Sequence, residues 1–173
     1  MFEMFFPDRY VTSTYVVNYE KLYEQGYRGI IFDIDNTLVP HGAPADARAV
    51  QLFERLRITG FDTCLISNNQ EPRVKPFADS VGSKYIFNAH KPSVKNYRKA
   101  MKLMRTDEQT TLFIGDQLFT DVWGAKRAGL SNILVKPIHP KEEIQIVLKR
   151  YLEKIVLYFY ARKKKVEKRR KLL

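Results

Sequence analysis

The chain has 173 residues, 45% of them hydrophobic and 28% charged, which suits one globular domain with an appendage. That composition excludes a collagen-like polymer and a disulfide-stapled mini-protein. The longest apolar run, Ile155–Ala161, is far short of the ~20 residues a spanning helix needs. A single cysteine, Cys64, allows no internal disulfide; it lies in an apolar stretch and reads as a core thiol suited to a reducing compartment. With Glu3 and Asp8 and no basic cluster, the first residues lack the pattern of a secretory leader. The net charge of +11 is uneven: residues 162–173 hold eight basic residues against Glu167, a net +7, leaving +4 for all the rest. A cationic tail of this kind points to an anionic partner, lipid or nucleic acid, or to a solvated solubilising segment.

In chain order, residues 1–28 are rich in aromatic residues, and Pro7 with the β-branched run Val11, Thr12, Thr14, Val16, Val17 argues against one long helix. This segment is expected to pack on or beside the core, with a short helix around Asn18–Gln25. Over 29–138 the rhythm changes. Ile30–Phe32 predicts a buried strand, Asp46–Thr59 a helix with Gly60 past its end, Phe61–Ile66 a second strand and Glu71–Val81 a short helix. Lys84–Phe87, Thr110–Ile114 and Leu130–Val135 predict three more strands, with helices at Ser93–Met104 and Thr120–Ala128 between them. Such alternation predicts an α/β fold: a Rossmann-like, doubly wound parallel sheet of about five strands. In these sheets ligands bind at the carboxyl ends of the strands.

The residues at those ends carry the chemistry. Asp33-Ile34-Asp35-Asn36-Thr37 follows the first strand. In an extended chain Asp33 and Asp35 would face the same side, and neighbouring carboxylates call for a cation or a shared proton. Ser67-Asn68-Asn69 follows the second strand, Lys91 the third, and Gly115-Asp116 through Asp121 the fourth. Three acids can hold a hard divalent ion such as Mg²⁺. A lysine and a hydroxyl can hold phosphate oxygens, and a bare carboxylate can attack phosphorus. Asp121 reads equally as a site residue or as the cap of the next helix. Thr37 reads as structural and His41 as an exposed loop residue.

These four blocks resemble the four motifs of the haloacid dehalogenase superfamily, in its aspartate-nucleophile phosphatase branch, over about residues 29–135. Asp35-Asn36-Thr37-Leu38-Val39-Pro40, Ile66-Ser67-Asn68-Asn69, Gly115–Val122 and the Phe5-Phe6-Pro7 opening further resemble the YqeG-type subgroup, itself similar to mitochondrial phosphatidylglycerophosphate phosphatases. The resemblance implies that Asp33 is the nucleophile and Asp35 the general acid and base. It implies Mg²⁺ held by the Asp33 side chain, the Asp35 main-chain carbonyl and Asp116. Ser67 and Lys91 would bind the phosphoryl oxygens, Asn68 would add a hydrogen bond, and Asp121 would hold metal-bound water or orient Lys91.

Only 29 residues separate Thr37 from Ser67, and 23 separate Ser67 from Lys91. Neither gap holds a cap domain, so an open site is expected, suited to a phosphate carried on something large. In 139–173, Ile144, Val147, Leu148, Tyr151, Leu152, Ile155 and Phe159 form a helical apolar stripe that runs into the basic tail. Aromatic residues followed by cations resemble an interfacial helix, here assigned to 155–171 and an anionic membrane surface. The expectation is an Mg²⁺-dependent phosphomonoesterase acting on phosphatidylglycerophosphate, cytoplasmic and peripheral on the inner face of the membrane. The rivals are a soluble phosphomonoester or phosphoprotein as substrate, and an inactive core that carries the tail to RNA or to a partner.

Overall fold

A computed structural model describes residues 2–139 and 144–170. Its centre is β2 (Gly29–Phe32), whose four residues are all buried. Both neighbours pair with it in parallel: β3 (Asp62–Ile66) through Phe32 opposite Leu65, and β5 (Thr111–Gly115) through Phe32 opposite Ile114. Outside these lie β4 (Lys84–Ile86), which pairs with β3, and β6 (Ser131–Val135), which pairs with β5. A strand buried on both faces cannot alternate apolar with polar residues, and Ile30-Ile31-Phe32 and Leu112-Phe113-Ile114 show the unbroken runs that result.

The sheet has six strands, one more than the five marked by apolar runs. The sixth, β1 (Arg9–Val11), comes from the aromatic N-terminal segment and pairs in parallel with β6. Asp8 fastens it: its Oδ2 accepts from the Asn132 backbone N–H and from Asn132 Nδ2, both at 2.9 Å. The strand order is β1-β6-β5-β2-β3-β4. From β2 the chain winds outward to β3 and β4, then crosses to β5 and winds the other way. The point of reversal lies between β2 and β5, where such sheets open a crevice at their carboxyl ends.

Helices cover both faces. On one side α2 (Ala47–Thr59) and α3 (Glu71–Val81) bury Leu52, Phe53, Leu56, Val74 and Phe77 against Ile30, Phe32, Leu65 and Ile114. The α1 helix (Tyr19–Glu24) joins this layer through Tyr19 and Leu22. On the other side α4 (Val94–Met104) and α5 (Trp123–Arg127) bury Tyr97, Met101 and Ala125 against Ile31, Cys64, Ile66 and Phe113. Truncating one of the buried phenylalanines would cost about 3–5 kcal/mol. Burial pushes the Cys64 thiol up to about 12, so it is an inert core residue. The boundaries of α2 follow from its ends: Asp46 Oδ1 accepts from the Ala49 N–H at 2.8 Å, and Gly60 closes the helix at φ +106°.

The last helix, α6 (Ile144–Arg170), lies across the carboxyl ends of β5 and β6. Its inward face is not the stripe read from the sequence. Glu153 and Val156 are buried there, with Leu157 beside them, and Val156 packs with Leu118, Val122 and Leu134. The opposite face carries Tyr151, Leu152, Ile155, Tyr158 and Phe159, all exposed. The side chains of Ile144, Val147 and Leu148, the start of the expected stripe, lie outside the described residues, as do residues 171–173 of the tail. The N-terminal aromatics hold the helix in place. Phe2 stacks on Phe159, Phe6 meets Tyr160 edge to face, and Lys163 Nζ donates to Glu3 at 2.6 Å.

Candidate active site

Asp33 is the first residue past β2, and its N–H still donates to the Ile114 carbonyl at 2.9 Å. The chain then leaves the sheet. Leu38 N–H donates to the Ile34 carbonyl at 2.9 Å, and Asn36 takes a left-handed conformation, φ +62°, that asparagine tolerates better than most residues. This turn separates the two acids that an extended strand would have placed side by side. The Asp35 carboxylate points toward the loop after β3. It accepts from Arg73 Nη2, Asn69 Nδ2 and the Gly42 N–H, each at 2.8 Å.

The β3 loop is tied to the segment after β4. Ser67 is buried; its N–H donates to Ile86, its carbonyl accepts from Ala89, and its Oγ accepts from the Asn69 N–H at 3.1 Å. Asn68 holds the Lys91 backbone from both sides: its Oδ1 accepts from the Lys91 N–H at 2.7 Å and its Nδ2 donates to the Lys91 carbonyl. Asn68 therefore positions the lysine through its main chain. The buried Lys91 Nζ then donates to Asp33 Oδ1 at 2.5 Å and to Asp121 Oδ1 at 2.7 Å.

Asp121 lies in a π-helical turn, Leu118–Val122, that opens the helical segment after β5. It does not cap that segment. Its Oδ2 accepts backward from the N–H groups of Asp116 and Gln117, at 3.1 and 3.0 Å. Gly115 makes this possible, since a Cβ there would lie 2.5 Å from Asp121 Oδ2. Its other oxygen, Oδ1, accepts from Lys91 Nζ, a contact suited to orienting that lysine.

Asp116 completes the group. Thr37 Oγ1 donates to its Oδ1 at 3.3 Å, and Arg150 of α6 donates to both its Oδ2 and its backbone carbonyl. Glu153, one turn further along α6, accepts from the Leu118 N–H at 2.7 Å and from Arg150 at 2.9 Å. Carboxylate oxygens of Asp33, Asp116 and Asp121 all lie within 4.8 Å of one another. The Asp35 side chain stands outside that cluster.

Three buried carboxylates face two cations, Lys91 and Arg150, so the group carries a surplus of negative charge. The electrostatics show the strain. Burial raises the Asp33 carboxyl to about 7, a shift that Lys91 opposes and Asp121 adds to. Burial, then the Asp33 and Asp121 carboxylates, hold Asp116 well above its ordinary value. Burial alone would lower the Lys91 ammonium, but Asp121 and Asp33 outweigh it and raise it. A hard divalent cation between Asp33 and Asp116 would relieve this surplus, and the donor set is all oxygen. The residues present therefore fit a divalent metal.

A sequence profile of haloacid dehalogenase-like hydrolases matches residues 43–129, about half the chain. A protein of Bacillus subtilis (strain 168) named probable phosphatase YqeG is 36% identical over 162 residues, covering 93% of this chain and 94% of that one. This chain belongs to the haloacid dehalogenase-like hydrolases. Its site is accordingly that of a hydrolase of phosphate esters. Phosphatidylglycerophosphate phosphatase 1, chloroplastic/mitochondrial, of Arabidopsis thaliana is 25% identical over 158 residues, covering 85% of this chain and 45% of that protein. The crystal structure of a hypothetical protein from Xanthomonas campestris shares the fold, with a TM-score of 0.56 at 16% identity over 75% of this chain and 76% of that one.

Every site residue marked in the sequence lies at the carboxyl end of the sheet. Asp33, Lys91, Asp116 and Asp121 form one hydrogen-bonded group, with Asn68 behind Lys91 and Asp35 across the β3 loop. Three residues of the site were missed: Arg73 on Asp35, and Arg150 with Glu153 on the loop after β5. Arg73 is one basic residue in a polar turn of helix, with no sequence signal of its own. The pair on α6 had one, since Arg150 and Glu153 are three apart and so share a helix face.

Proposed function

We propose that the protein is an Mg²⁺-dependent phosphomonoesterase that works through a phosphorylated Asp33 and acts on phosphatidylglycerophosphate at an anionic membrane surface. The observation that carries the chemistry is the shared ammonium of Lys91. It holds one oxygen of Asp33 and one of Asp121, fixing the nucleophile and placing a positive charge where phosphoryl oxygens would arrive. In the first step a carboxylate oxygen of Asp33 forms a bond to phosphorus as the ester P–O bond breaks. Asp35, in its acid form, gives its proton to the departing alkoxide. In the second step Asp35 takes a proton from water as that water attacks phosphorus, releasing inorganic phosphate and restoring Asp33. Arg73 and Asn69 hold the Asp35 carboxyl in place for both transfers. Ser67 and Lys91 contact the phosphoryl oxygens. Asp33, Asp116 and the Asp35 carbonyl are the groups that would hold Mg²⁺, which when bound neutralises charge on the phosphoryl group.

Three features support the lipid substrate and the membrane. The Arabidopsis relative is named for phosphatidylglycerophosphate. The gaps before and after Ser67 are filled by α2 with β3 and by α3 with β4, so neither gap holds a cap domain. The outer face of α6 exposes an apolar stripe, from Tyr151 through Ile155 and Tyr158 to Val166, beside Arg162, Lys164 and Lys165. Exposed apolar area bordered by cations suits the headgroup region of an anionic bilayer. No described helix is long and apolar enough to cross a membrane.

The test is turnover of phosphatidylglycerophosphate in anionic liposomes beside a panel of soluble phosphomonoesters, with Mg²⁺ present. The reading expects the lipid to be preferred, with binding to the liposomes lost at high salt. Preference for a soluble phosphate, with no liposome binding, would overturn the lipid assignment. Tight binding of RNA by the full chain without liposome binding would assign the cationic tail to nucleic acid instead.

A further inference from the structure

A phosphomonoester whose phosphorus sits at Asp33 must place the rest of its alcohol somewhere, and the fold provides a space beside Asp116. A cavity of about 490 Å³ opens at the carboxyl ends of β5, β6 and β1, with α6 as its far wall. Asp116 belongs both to this cavity and to the acid cluster, so the cavity adjoins the cluster.

The lining has two chemical characters. Leu134, Pro137 and Leu157 form apolar walls, with the tyrosine rings of β1 and α6 beside them. Three cations reach the same space: Arg150, Lys136 and Lys154. The cavity's two carboxylates, Asp116 and Glu153, are both held by Arg150. Lys136 and Lys154 are exposed and pair with no carboxylate among the described residues. The Lys154 ammonium lies over the Tyr151 ring, 5.1 Å from its centroid. Positive charge at the mouth with apolar walls behind describes a site for an amphiphilic anion.

We infer that this cavity is the leaving-group subsite, and that it selects an alcohol carrying a second, anionic phosphate followed by an apolar extension. The inference rests on the reading of Asp33 as the phosphomonoester nucleophile. It goes beyond that reading in assigning substrate selection to Lys136, Lys154 and the walls contributed by β6 and α6. In this role α6 supplies the specificity surface that a cap domain would otherwise give. Arg150 is a positioning residue, since it fixes α6 to Asp116 and so sets the width of the cavity.

The test uses the full chain with Mg²⁺ and two soluble substrates. One is p-nitrophenyl phosphate, with no second anion. The other is dihexanoyl phosphatidylglycerophosphate below its micelle concentration, so that membrane binding plays no part. In the Lys136→Ala/Lys154→Ala variant the ratio of kcat/KM, lipid over aryl, is expected to fall by ~10-fold or more, chiefly through KM. The Lys136→Arg/Lys154→Arg variant, which keeps both charges, is expected to restore most of the ratio. Dihexanoyl phosphatidylglycerol, which keeps the phosphodiester and chains but lacks the monoester, should inhibit aryl phosphate turnover by the wild type. Dihexanoyl phosphatidylcholine, with the same chains and no net charge, should not. An unchanged ratio, a parallel loss on both substrates, or equal inhibition by the two lipids would each overturn the subsite. These results are separate from the chemistry: wild-type turnover of p-nitrophenyl phosphate that disappears in Asp33→Asn would uphold the nucleophile even if the subsite failed.

Discussion

The strand ends and α6 handle charge in opposite ways. At the strand ends the charged groups are buried or half-buried and each is held by a partner: Lys91 by Asp33 and Asp121, Asp116 by Arg150, Asp35 by Arg73. On the outer face of α6 Arg162, Lys164 and Lys165 are exposed, beside the exposed apolar side chains of Tyr151, Ile155, Tyr158 and Val166. Buried charge is costly unless its geometry is fixed, so the first region admits few substitutions. Exposed charge acts collectively and is screened by salt, so the second tolerates exchange of one cation for another. The first arrangement suits bond-breaking at one phosphorus atom, and the second suits reversible contact with an extended anionic surface.

The comparison is tested most severely at Asp33. Asp33→Asn keeps the shape and removes the nucleophile, so kcat should fall by ~1,000-fold or more with the fold retained, measured by steady-state kinetics and circular dichroism. A variant keeping a tenth of wild-type activity would refute the assignment.

Lys91→Met comes next. It removes a charge used in binding and chemistry, so kcat/KM should fall by ~100-fold or more. It also leaves Asp33 and Asp121 buried without their shared partner, which should cost about 3–5 kcal/mol in denaturant unfolding of the metal-free protein. A loss of activity with no loss of stability would show that the cluster is less tightly coupled than its geometry indicates.

Deleting residues 162–173 probes the second region. At about 1 kcal/mol for each cation near an anionic leaflet, liposome binding at low salt should weaken by ~100-fold, while aryl phosphate turnover changes by less than ~2-fold. A truncated protein that still sediments with anionic liposomes would place the membrane contact elsewhere.

The smallest effect is on pH dependence. The Asp33 carboxyl is raised in the folded state, to about 7 from an ordinary value of 3.8. The folded form therefore holds a proton that the unfolded chain has released. The stabilising contribution is complete below the unfolded value and is lost as pH rises through about 7. Metal-free protein should lose melting temperature across that window. Mg²⁺, which needs the ionised acids, should raise the melting temperature by a few degrees more at about pH 8 than at about pH 5.5. Equal increments at both pH values would contradict the acid cluster as the binding site.

Much of the fold was legible because β2, β3, β5 and β6 are buried on both faces and appear as short apolar runs between helix-length segments. Strand β1 was not, because Arg9 and Tyr10 are exposed and the segment carries no apolar run. Its hold comes from Asp8 and Asn132, 124 positions apart. In the site, residues with a fixed place after a strand could be read from spacing. The turn at Asn36 could not, and it moved the Asp35 side chain away from Asp33 and toward Arg73. The side of α6 that packs on the sheet was not legible from the stripe, whose residues from Tyr151 to Phe159 are exposed. Apolar spacing reveals an amphipathic helix but not which face turns inward, and here Arg150 and Glu153 fix the inward face through the loop after β5.

The most direct test of the account is to trap the phosphorylated enzyme. The full chain is mixed with Mg²⁺ and a fast-turning aryl phosphate, quenched in acid during turnover, and reduced with borohydride, which converts an aspartyl phosphate to homoserine. Peptide mass spectrometry then locates the change. The account predicts homoserine at position 33, dependent on substrate and absent without it. Conversion at another residue, or an unmodified Asp33 during full turnover, would contradict it.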